Sequence, residues 1–308
     1  MESIKRFLIF ALGIFLLVVG VAGLILPILP GWVLIFMGLS IVAPRAAKRL
    51  KGWVFKKRFK HDLAYFSEWE KLGVQSGCTT RHFPVHLSGS ADLMSKDTQT
   101  RFLEAFWAGQ ESVGRHLQTA DRFVLLRQVH KDRIAVLDDE EHFRKPGFYP
   151  QEGADGAITR LKGLTLLVFT ADCLPVYFSA GDWVGLAHAG WRGTKACISE
   201  KMLKLISEKS GVPASKVKVI FGPRIGPDNY EVGEEFTGHF PDSPLLRLGG
   251  KLYFDLGAAN RRQLIRSGLK PGNILDPAVC TVDQNEDFYS FRKEGEKAGR
   301  MVSFITKV

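Results

Sequence analysis

The sequence predicts an α+β domain that follows an N-terminal transmembrane helical hairpin. Residues 7–43 contain no charged side chain, whereas from about residue 72 short apolar runs alternate with amphipathic segments. The charge is uneven as well, because residues 1–72 carry eleven Lys and Arg against four Asp and Glu in a chain of net charge +10. These observations divide the 308 residues into a hairpin over 1–44, a basic amphipathic linker over 45–71 and a folded domain over 72–308.

The hairpin is predicted from two apolar runs with a break between them. The first, over 7–28, is long enough to cross about 30 Å of hydrocarbon at about 1.5 Å per residue. Prolines at 27 and 30 end it, and the second run over 32–43 is short, so a re-entrant segment stays open. Leu29-Pro30-Gly31-Trp32 resembles small bacterial membrane hairpins with a Pro-Gly-Trp signature. A cleaved signal peptide is the alternative, but no small-residue cleavage site precedes the second run.

Basic residues flank both ends of the hairpin, with Lys5 and Arg6 before it and eight Lys and Arg between 45 and 60. The positive-inside tendency therefore predicts that residues 1–60 lie against lipid and that the folded domain is in the cytoplasm. The resemblance to bacterial hairpins implies that the membrane is a bacterial inner membrane. Aromatic residues within 44–71 indicate an interfacial helix, with a solvated linker as the alternative. Because the excess charge lies outside the folded domain, we expect no nucleic-acid partner.

The folded domain combines predicted strands with predicted helices. Apolar runs predict strands at 123–129, 164–169, 176–178, 184–188 and 217–221. Helical patterns predict helices at 98–107, 195–209 and 254–267, with a short turn at 273–275. The four cysteines are scattered and form no C-x-x-C pair, which favours reduced thiols over a disulfide scaffold.

Potential metal ligands stand at the ends of three predicted strands: His130, Cys173 and His188. If Ala180 and Gly181 form the turn between two of these strands, Cys173 lies opposite His188, with Cβ atoms about 5 Å apart on one face. That gap suits zinc bonds of roughly 2.3 Å to sulfur and 2.0 Å to nitrogen. Three protein ligands with a fourth position open is the catalytic zinc pattern, although each residue by itself is as compatible with packing.

Several motifs together resemble the polyphenol-oxidoreductase "laccase-domain" family, over about residues 77–305. They are Gln128-Val129-His130, Ala154-Asp155-Gly156-Ala157, Thr170-Ala171-Asp172-Cys173-Leu174-Pro175, His188-Ala189-Gly190-Trp191-Arg192-Gly193, Gly222-Pro223-Arg224-Ile225-Gly226, Tyr230-Glu231-Val232 and Phe288-Tyr289-Ser290-Phe291-Arg292. The resemblance implies a layered α+β sandwich with zinc on His130, Cys173 and His188. It also implies phosphorolysis of adenosine, inosine and methylthioadenosine, with adenosine deamination alongside.

The resemblance leads to expected roles and partners. The substrates are purine nucleosides and phosphate, and the cofactor is zinc, with copper as the alternative. Cys173, Asp172 and Arg192 are the catalytic candidates, while Arg81 and Arg192 are the guanidiniums that could grip phosphate. Tyr289, with Phe291 beside it in the motif, could bind the base. The plainer interpretations are a structural salt bridge for Arg192, a turn cap for Asp172 and core packing for the aromatic residues.

The chain departs from the family pattern after Thr79-Thr80-Arg81, where Gly-Gly-Val-Ser and Ser-Leu-Asn-Leu-Gly elements are expected and residues 82–90 differ, so the preferred nucleoside stays open. Three other functions remain. A copper polyphenol oxidase is one, although eight histidines without a His-x-His pair suit a multicopper site poorly. A Cys-His hydrolase that edits peptidoglycan precursors, with Cys173 as nucleophile, is the second. A non-catalytic membrane adaptor is the third.

Overall fold

The structure is a computed structural model that describes residues 11, 12, 14, 62–112, 121–241 and 245–308, without the side chains of 110–112. The chain divides into two units, Met1–Lys57 and Arg58–Val308. Apart from the helical residues 11, 12 and 14, the predicted hairpin lies outside the described residues. No helix in the described part of the chain is both long enough and apolar enough to cross a membrane.

The described residues of the second unit form fifteen strands. They are β1 (Leu63–Tyr65), β2 (Val74–Thr79), β3 (Arg122–Arg127), β4 (Ile134–Leu137), β5 (Gly147–Glu152), β6 (Gly156–Thr159), β7 (Leu164–Thr170), β8 (Leu174–Ala180), β9 (Trp183–Ala189), β10 (Lys218–Phe221), β11 (Glu231–Val232), β12 (Leu245–Leu248), β13 (Lys251–Phe254), β14 (Ile274–Leu275) and β15 (Met301–Lys307).

The same residues form six α-helices: α1 (Lys96–Ser112), α2 (Trp191–Lys195), α3 (Ile198–Ser210), α4 (Glu235–His239), α5 (Leu256–Arg266) and α6 (Phe291–Glu294). Short 3-10 helices span Ser67–Leu72, Ser90–Met94, Ala214–Lys216, Pro227–Asn229, Pro271–Asn273 and Gly295–Lys297. The predicted α+β class is confirmed for these described residues.

The strands build two large sheets and one small one. The first large sheet has the order β1-β2-β15-β7-β3-β5, the second has the order β14-β10-β8-β9-β6-β4, and the small sheet has the order β11-β13-β12. Both large sheets are mixed, because β3 runs parallel to β5 and β7 in the first, and β4 runs parallel to β6 in the second.

The two large sheets pack face to face, with helices on their outer sides. Leu166 and Val168 of β7 meet Tyr177 and Leu186 of the second sheet in the core between the sheets. On the other face of β7, Leu167 packs in the core beneath α1, and α3 and α5 cover the outer face of the second sheet. Every residue of β7 is therefore buried, which explains its continuous apolar run.

The five predicted strands are present as β3, β7, β8, β9 and β10, with shifted ends. The predicted helix over 195–209 is wrong as a single element, because Cys197 has a left-handed φ of 61° and separates α2 from α3. The predicted turn at 273–275 is the end of a 3-10 helix followed by β14.

The start of the folded domain lies earlier than predicted. β1 pairs with β2 in the first sheet, and Phe66 and Trp69 are buried in the core between the sheets. Residues 62–71 therefore belong to the folded domain, which corrects the predicted linker and interfacial helix for this stretch. The rest of that linker, 45–61, lies outside the described residues.

The hairpin that connects β8 to β9 has a different register from the predicted one. Ala180 pairs with Trp183, so Gly181 and Asp182 form the turn, and His188 lies opposite Pro175 rather than Cys173. The reason is local, because Gly181 has a φ of 58°, as the first position of a tight hairpin turn demands. The error is two residues, and an even shift keeps Cys173 and His188 on the same face of the sheet.

Candidate metal centre

His130, Cys173 and His188 form a cluster, called the His-Cys-His cluster below, in which all three potential ligand atoms lie within 4.8 Å of one another. His130 follows β3, Cys173 precedes β8, and His188 lies in β9. The two imidazole rings meet edge to face, with centroids 4.8 Å apart. His188 is buried, Cys173 is half-buried and His130 is exposed, so one side of the cluster is open to solvent.

Asp155 holds this cluster together from behind. Its fully buried carboxylate accepts the backbone N–H groups of Val129 at 3.1 Å, His130 at 2.9 Å and Lys131 at 2.9 Å. It also contacts Nδ1 of His188 at 2.8 Å. A carboxylate on Nδ1 orients the imidazole so that Nε2 faces the other ligands, the usual arrangement behind a metal-bound histidine.

The backbone around the cluster is held in unusual conformations. His130 has a φ of 58° and Asp172 a φ of 91°, and each such non-glycine residue costs about 1–3 kcal/mol unless its surroundings enforce it. Hydrogen bonds supply that constraint. The backbone N–H of His130 donates to Asp155 at 2.9 Å, and the carbonyl of Asp172 accepts the backbone N–H of Ile225 at 2.9 Å. Gln128 ties the segment before His130 to the backbone of Phe169, donating from Nε2 at 2.8 Å and accepting at Oε1 at 2.7 Å.

A glycine lets the three ligands approach one another. A Cβ atom on Gly190 would lie 2.9 Å from Sγ of Cys173, and within 3.7 Å of ring atoms of His130 and His188. Gly190 itself has an ordinary φ of −72°, so the requirement for glycine is the space beside the sulfur and not the backbone conformation.

The two histidines favour the thiolate form of Cys173. Burial by itself would raise the pKa of Cys173, but His188 and His130 lower that pKa to about 6. Burial by itself would lower the pKa of His188, but Cys173 and Asp155 raise that pKa to about 9. Near neutral pH the cluster without a metal therefore contains a thiolate beside an imidazolium. The thiolate is the form of cysteine that binds metals and acts as a nucleophile.

The donor set and the geometry fit a zinc ion. Two imidazoles and one thiolate are common zinc ligands, and they also suit copper. Bond lengths of roughly 2.0 and 2.3 Å in a tetrahedral site place ligand atoms roughly 3.3–3.6 Å apart. The three ligand atoms already lie within 4.8 Å of one another, and Asp155 holds His188 in place.

The cluster lies in the wall of a cavity of about 370 Å³, which is large enough for a small organic ligand. Aromatic side chains, Trp191, Tyr230 and Phe291, line part of this cavity, and two arginines, Arg292 and Arg300, line another part. The pKa of Tyr230 is raised, first by burial and then by the charge of Cys173, so the phenol keeps its proton at neutral pH.

Asp172 lines the cavity, but both of its carboxylate oxygens are occupied. Oδ1 accepts a hydrogen bond of 2.6 Å from the hydroxyl of Thr281, and Oδ2 accepts one of 2.6 Å from the backbone N–H of Arg292. The side chain therefore attaches the start of α6 to the cavity wall. This arrangement matches the alternative interpretation of Asp172 as a cap for backbone groups.

Three other predicted residues, Arg81, Tyr289 and Arg192, do not line the cavity. Arg81 pairs with Glu294, donates to the carbonyl of Asn285 at 2.7 Å and lies over the ring of Tyr289 at 4.7 Å. The hydroxyl of Tyr289 is in turn 3.2 Å from Nδ1 of His86. The geometry therefore does not support Arg81 or Tyr289 as contacts of a ligand in this cavity.

Arg192 is exposed, and its guanidinium stacks over the ring of Trp191 at 4.3 Å. In the part of the chain that is described, it forms no ion pair with a carboxylate, so the predicted structural salt bridge is not observed. Trp191 lines the cavity, whereas Arg192 does not.

Sequence reasoning assigned no role to Asp155, Tyr230, Arg292 or Arg300. Asp155 carried a usable signal, because a lone carboxylate next to the apolar strand β6 needs several hydrogen-bond donors if it is buried. Arg292 is part of the motif Phe288-Tyr289-Ser290-Phe291-Arg292, which was a usable signal, whereas Arg300 carried none, because isolated charged residues are usually solvated.

The chain matches known proteins over most of its length. The family model described as "Multi-copper polyphenol oxidoreductase laccase" matches residues 88–307, and the chain belongs to this family. A second family model, PGPGW, matches residues 6–57, and its description proposes a transmembrane protein. The N-terminal match supports the predicted fusion to a membrane segment.

The relatives that match this chain include proteins with two different enzyme names. "Adenosine deaminase RL5" from an unknown prokaryotic organism is 34% identical over 60% of this chain and 75% of its own. "Purine nucleoside phosphorylase YlmD" of Geobacillus stearothermophilus is 38% identical over 60% and 72%. Among solved structures, the Bacillus licheniformis hypothetical protein YfiH covers 80% of this chain and 97% of its own, with a TM-score of 0.65 and 27% identity. These similarities support an enzyme of this kind on the observed fold.

Proposed function

We propose that this protein is a zinc-dependent purine nucleoside phosphorylase that also deaminates adenosine and is held at a membrane by its N-terminal segment. The His-Cys-His cluster in the wall of the 370 Å³ cavity carries this proposal. The names of the relatives support the two activities, and the PGPGW match over residues 6–57 supports the membrane segment.

The metal would be held by Nε2 of His188, Sγ of Cys173 and the imidazole of His130. When bound, zinc supplies a Lewis acid that polarises a substrate atom or activates water. Asp155 keeps His188 in the orientation that this requires, because its carboxylate contacts Nδ1. The same carboxylate fixes the backbone of His130, so one buried group positions two of the three ligands.

The cavity suits a purine nucleoside in size and in lining. The aromatic faces of Trp191, Tyr230 and Phe291 offer stacking surface to a purine ring. The phenol of Tyr230 keeps its proton and can donate a hydrogen bond to a ring nitrogen of the base. Asp172 acts as a positioning residue in this proposal, because its carboxylate holds the backbone of Arg292.

Two reactions follow from two nucleophiles. In phosphorolysis, a phosphate oxygen bonds to the ribose C1′ while the glycosidic C–N bond breaks, and the purine base leaves with a proton. In deamination, water adds at C6 of adenine and ammonia leaves. A hydrogen bond from Tyr230 to a ring nitrogen would stabilise the negative charge that grows on the departing base in the first reaction.

The test uses the full chain in detergent, with adenosine as substrate and products separated by chromatography. We expect adenine only when phosphate is present, and inosine with or without phosphate. Chelation should abolish both products and zinc should restore them, while His130→Ala should lose both and the exposed His142→Ala should lose neither. A His130→Ala variant with wild-type rates, or a chelated protein that stays fully active, would contradict the proposal.

A Cys-His hydrolase is the second candidate, and one observation favours it. The Cys173 thiolate, the His188 imidazole and the Asp155 carboxylate form the nucleophile, base and orienting group that such catalysis uses. This chemistry would be identified if the chelated protein were still active and then lost its activity on alkylation of Cys173. Copper in place of zinc is tested by metal analysis and by oxygen uptake with a phenol.

Membrane attachment is tested by cell fractionation of the full chain. We expect the protein in the membrane pellet after an alkaline carbonate wash, because a segment that crosses the bilayer resists this treatment. Complete release by carbonate would reduce the N-terminal segment to a peripheral contact, and recovery of the untreated chain in the supernatant would contradict attachment.

A further inference from the structure

We propose that Arg292 and Arg300 form a phosphoryl-binding subsite in the wall of the cavity. This inference rests on the proposed function and deepens it, because it places the second substrate. The ligand is a phosphoryl dianion, either inorganic phosphate or the phosphate of a nucleotide. Arg81 and Arg192, the two arginines that the sequence indicated for this role, do not line the cavity.

Both arginines lack a carboxylate partner in the described residues. Among the residues that the structure describes, several arginines near the domain surface are neutralised by carboxylates, as Arg81 is by Glu294 and Arg247 is by Glu234. Within the same described residues, neither Arg292 nor Arg300 forms an ion pair with Asp or Glu. Both nevertheless line one cavity, where two like charges repel unless an anion lies between them.

Each guanidinium is positioned by neutral contacts. Nη1 of Arg292 donates to the carbonyl of Glu231 at 2.9 Å, and its Cζ lies 5.3 Å from the ring centroid of Tyr230. Nη1 of Arg300 donates to the carbonyls of Ala298 at 2.7 Å and of Gly299 at 3.1 Å. These contacts orient both side chains without cancelling their charge.

Each guanidinium also keeps free hydrogen-bond donors. A guanidinium carries five N–H donors, and in the described residues Nη2 and Nε of Arg292 and of Arg300 make no hydrogen bond. Those two nitrogens form the edge that binds phosphate in a bidentate manner. Two such edges in one cavity match the several oxygens of a phosphoryl group.

In the described residues, the acidic residue in the cavity wall accepts no hydrogen bond from either guanidinium. Asp172 already accepts hydrogen bonds at both oxygens, from Thr281 and from the backbone of Arg292. Because it holds Arg292 by the main chain, the side chain of Arg292 stays available. The subsite therefore lies in the same cavity as Cys173, where a phosphate can meet the ribose of a bound nucleoside.

The first test measures binding directly, by titration calorimetry of inorganic phosphate into the full chain in detergent. We expect Arg292→Gln and Arg300→Gln each to weaken phosphate binding about tenfold or more, since each loses a charge-assisted fork. Arg292→Lys should bind at an intermediate level, because it keeps the charge and loses the fork. Arg247→Gln, a surface arginine outside the cavity, should bind as the wild type does.

The second test separates the two sources of phosphate by kinetics. If inorganic phosphate is the ligand, its KM in phosphorolysis rises about tenfold in the Gln variants, while the KM for adenosine in deamination changes less than about twofold. If a nucleotide is the ligand, the wild type deaminates AMP at a lower KM than adenosine, and the Gln variants lose that preference.

The outcomes distinguish this inference from the proposed function. Phosphate that binds the wild type and not the Gln variants supports the subsite even if adenosine is not converted, in which case only the proposed function fails. Wild-type affinity for phosphate and AMP in both Gln variants, or a wild type that binds neither, overturns the subsite. Melting temperatures near that of the wild type exclude unfolding of the variants as the cause of lost binding.

Discussion

The two sides of the cavity differ in how they are held and in what they can do. The floor consists of His130, Cys173 and His188 with Asp155 behind them, and it is fixed by short hydrogen bonds to a buried carboxylate. The rim consists of Tyr230, Phe291, Arg292 and Arg300, and it is fixed by ring contacts and by backbone carbonyls.

This difference separates chemistry from recognition. The floor offers the ligands of one metal in one geometry, and Asp155 links two of them, His130 and His188. The rim offers aromatic faces and free donors, and its members act on different parts of a ligand. Variants of the floor should therefore change metal content, whereas variants of the rim should change substrate binding and leave the metal in place.

The largest expected effect is that of Asp155→Asn. The amide keeps the shape but loses the charge that accepts three backbone N–H groups and faces His188. We expect metal affinity to fall about 100-fold and the free energy of unfolding to fall by about 4 kcal/mol. Metal analysis after dialysis and denaturant unfolding measure the two effects.

Asp182→Asn is the matched control for this change, because Asp182 is exposed in the turn after β8. It should alter neither quantity. If Asp155→Asn kept its metal and its stability, the floor would not depend on the buried carboxylate.

The next effect concerns Arg224 and Asp276, which form an ion pair through two hydrogen bonds of 2.9 Å each. Asp276→Asn should lower the free energy of unfolding by about 3 kcal/mol, since it leaves a buried guanidinium unpaired. The backbone carbonyl of Arg224 also accepts a hydrogen bond from the backbone of Thr281, and the hydroxyl of Thr281 contacts Asp172. We therefore expect weaker substrate binding at the rim and an unchanged metal content.

The pH dependence of this pair has a definite sign. Burial by itself would raise the pKa of Asp276, but Arg224 lowers it below 3.8. The contribution to stability is therefore complete above about pH 3.8 and is lost as the pH falls through the lowered pKa. Denaturant unfolding should show the wild type and Asp276→Asn converging in acid. As a control, Asp97→Asn, in an exposed pair with Arg101, should lower the free energy of unfolding by less than about 0.5 kcal/mol. If the difference in stability between the wild type and Asp276→Asn were the same at every pH, the ion-pair explanation would be contradicted.

A smaller effect is expected for Gly190→Ala. The new methyl group would lie 2.9 Å from the sulfur of Cys173, and overpacking of this kind costs about 1–3 kcal/mol. We expect metal affinity to fall about tenfold, measured by competition with a chromophoric chelator. Gly272→Ala is the control, because a Cβ there meets nothing within 4 Å. An unchanged affinity in Gly190→Ala would show that the ligands are not tightly packed.

The smallest effect is expected at the rim, for Phe291→Ala. Phe291 is 49% exposed, so its removal should change the free energy of unfolding by less than about 0.5 kcal/mol. Loss of one aromatic face should raise the KM for adenosine about threefold, with metal content unchanged. Leu246→Ala, an exposed apolar residue outside the cavity wall, should leave the KM as it is. A loss of metal in Phe291→Ala would break the distinction between floor and rim.

The strands that were predicted share one property, as β7 and β9 are buried on both faces and read as continuous apolar runs. Strands that were missed lack this signal. β5 contains Pro150 and lies at a sheet edge, where proline is tolerated. β15 places Ser303 and Thr306 in buried positions, which interrupts its apolar pattern.

The break between α2 and α3 shows a different limit. Apolar spacing continues through residues 195–209, so periodicity cannot locate the left-handed Cys197. A contact from distant sequence stabilises the break, because Asn260 of α5 bonds Thr194 before it at 2.9 Å and Ser199 after it at 2.6 Å. No local pattern contains that information.

The sequence alone was enough to predict which residue types could be ligands at the floor, because a histidine or cysteine at the end of an apolar strand can be recognised without knowledge of the fold. Which arginines serve the cavity was decided only by the tertiary structure. Arg81 and Arg292 have the same side chain, yet Arg81 faces Glu294 and Arg292 faces the cavity. The charge that a guanidinium presents depends on what lies opposite it, and that neighbour comes from a distant part of the chain.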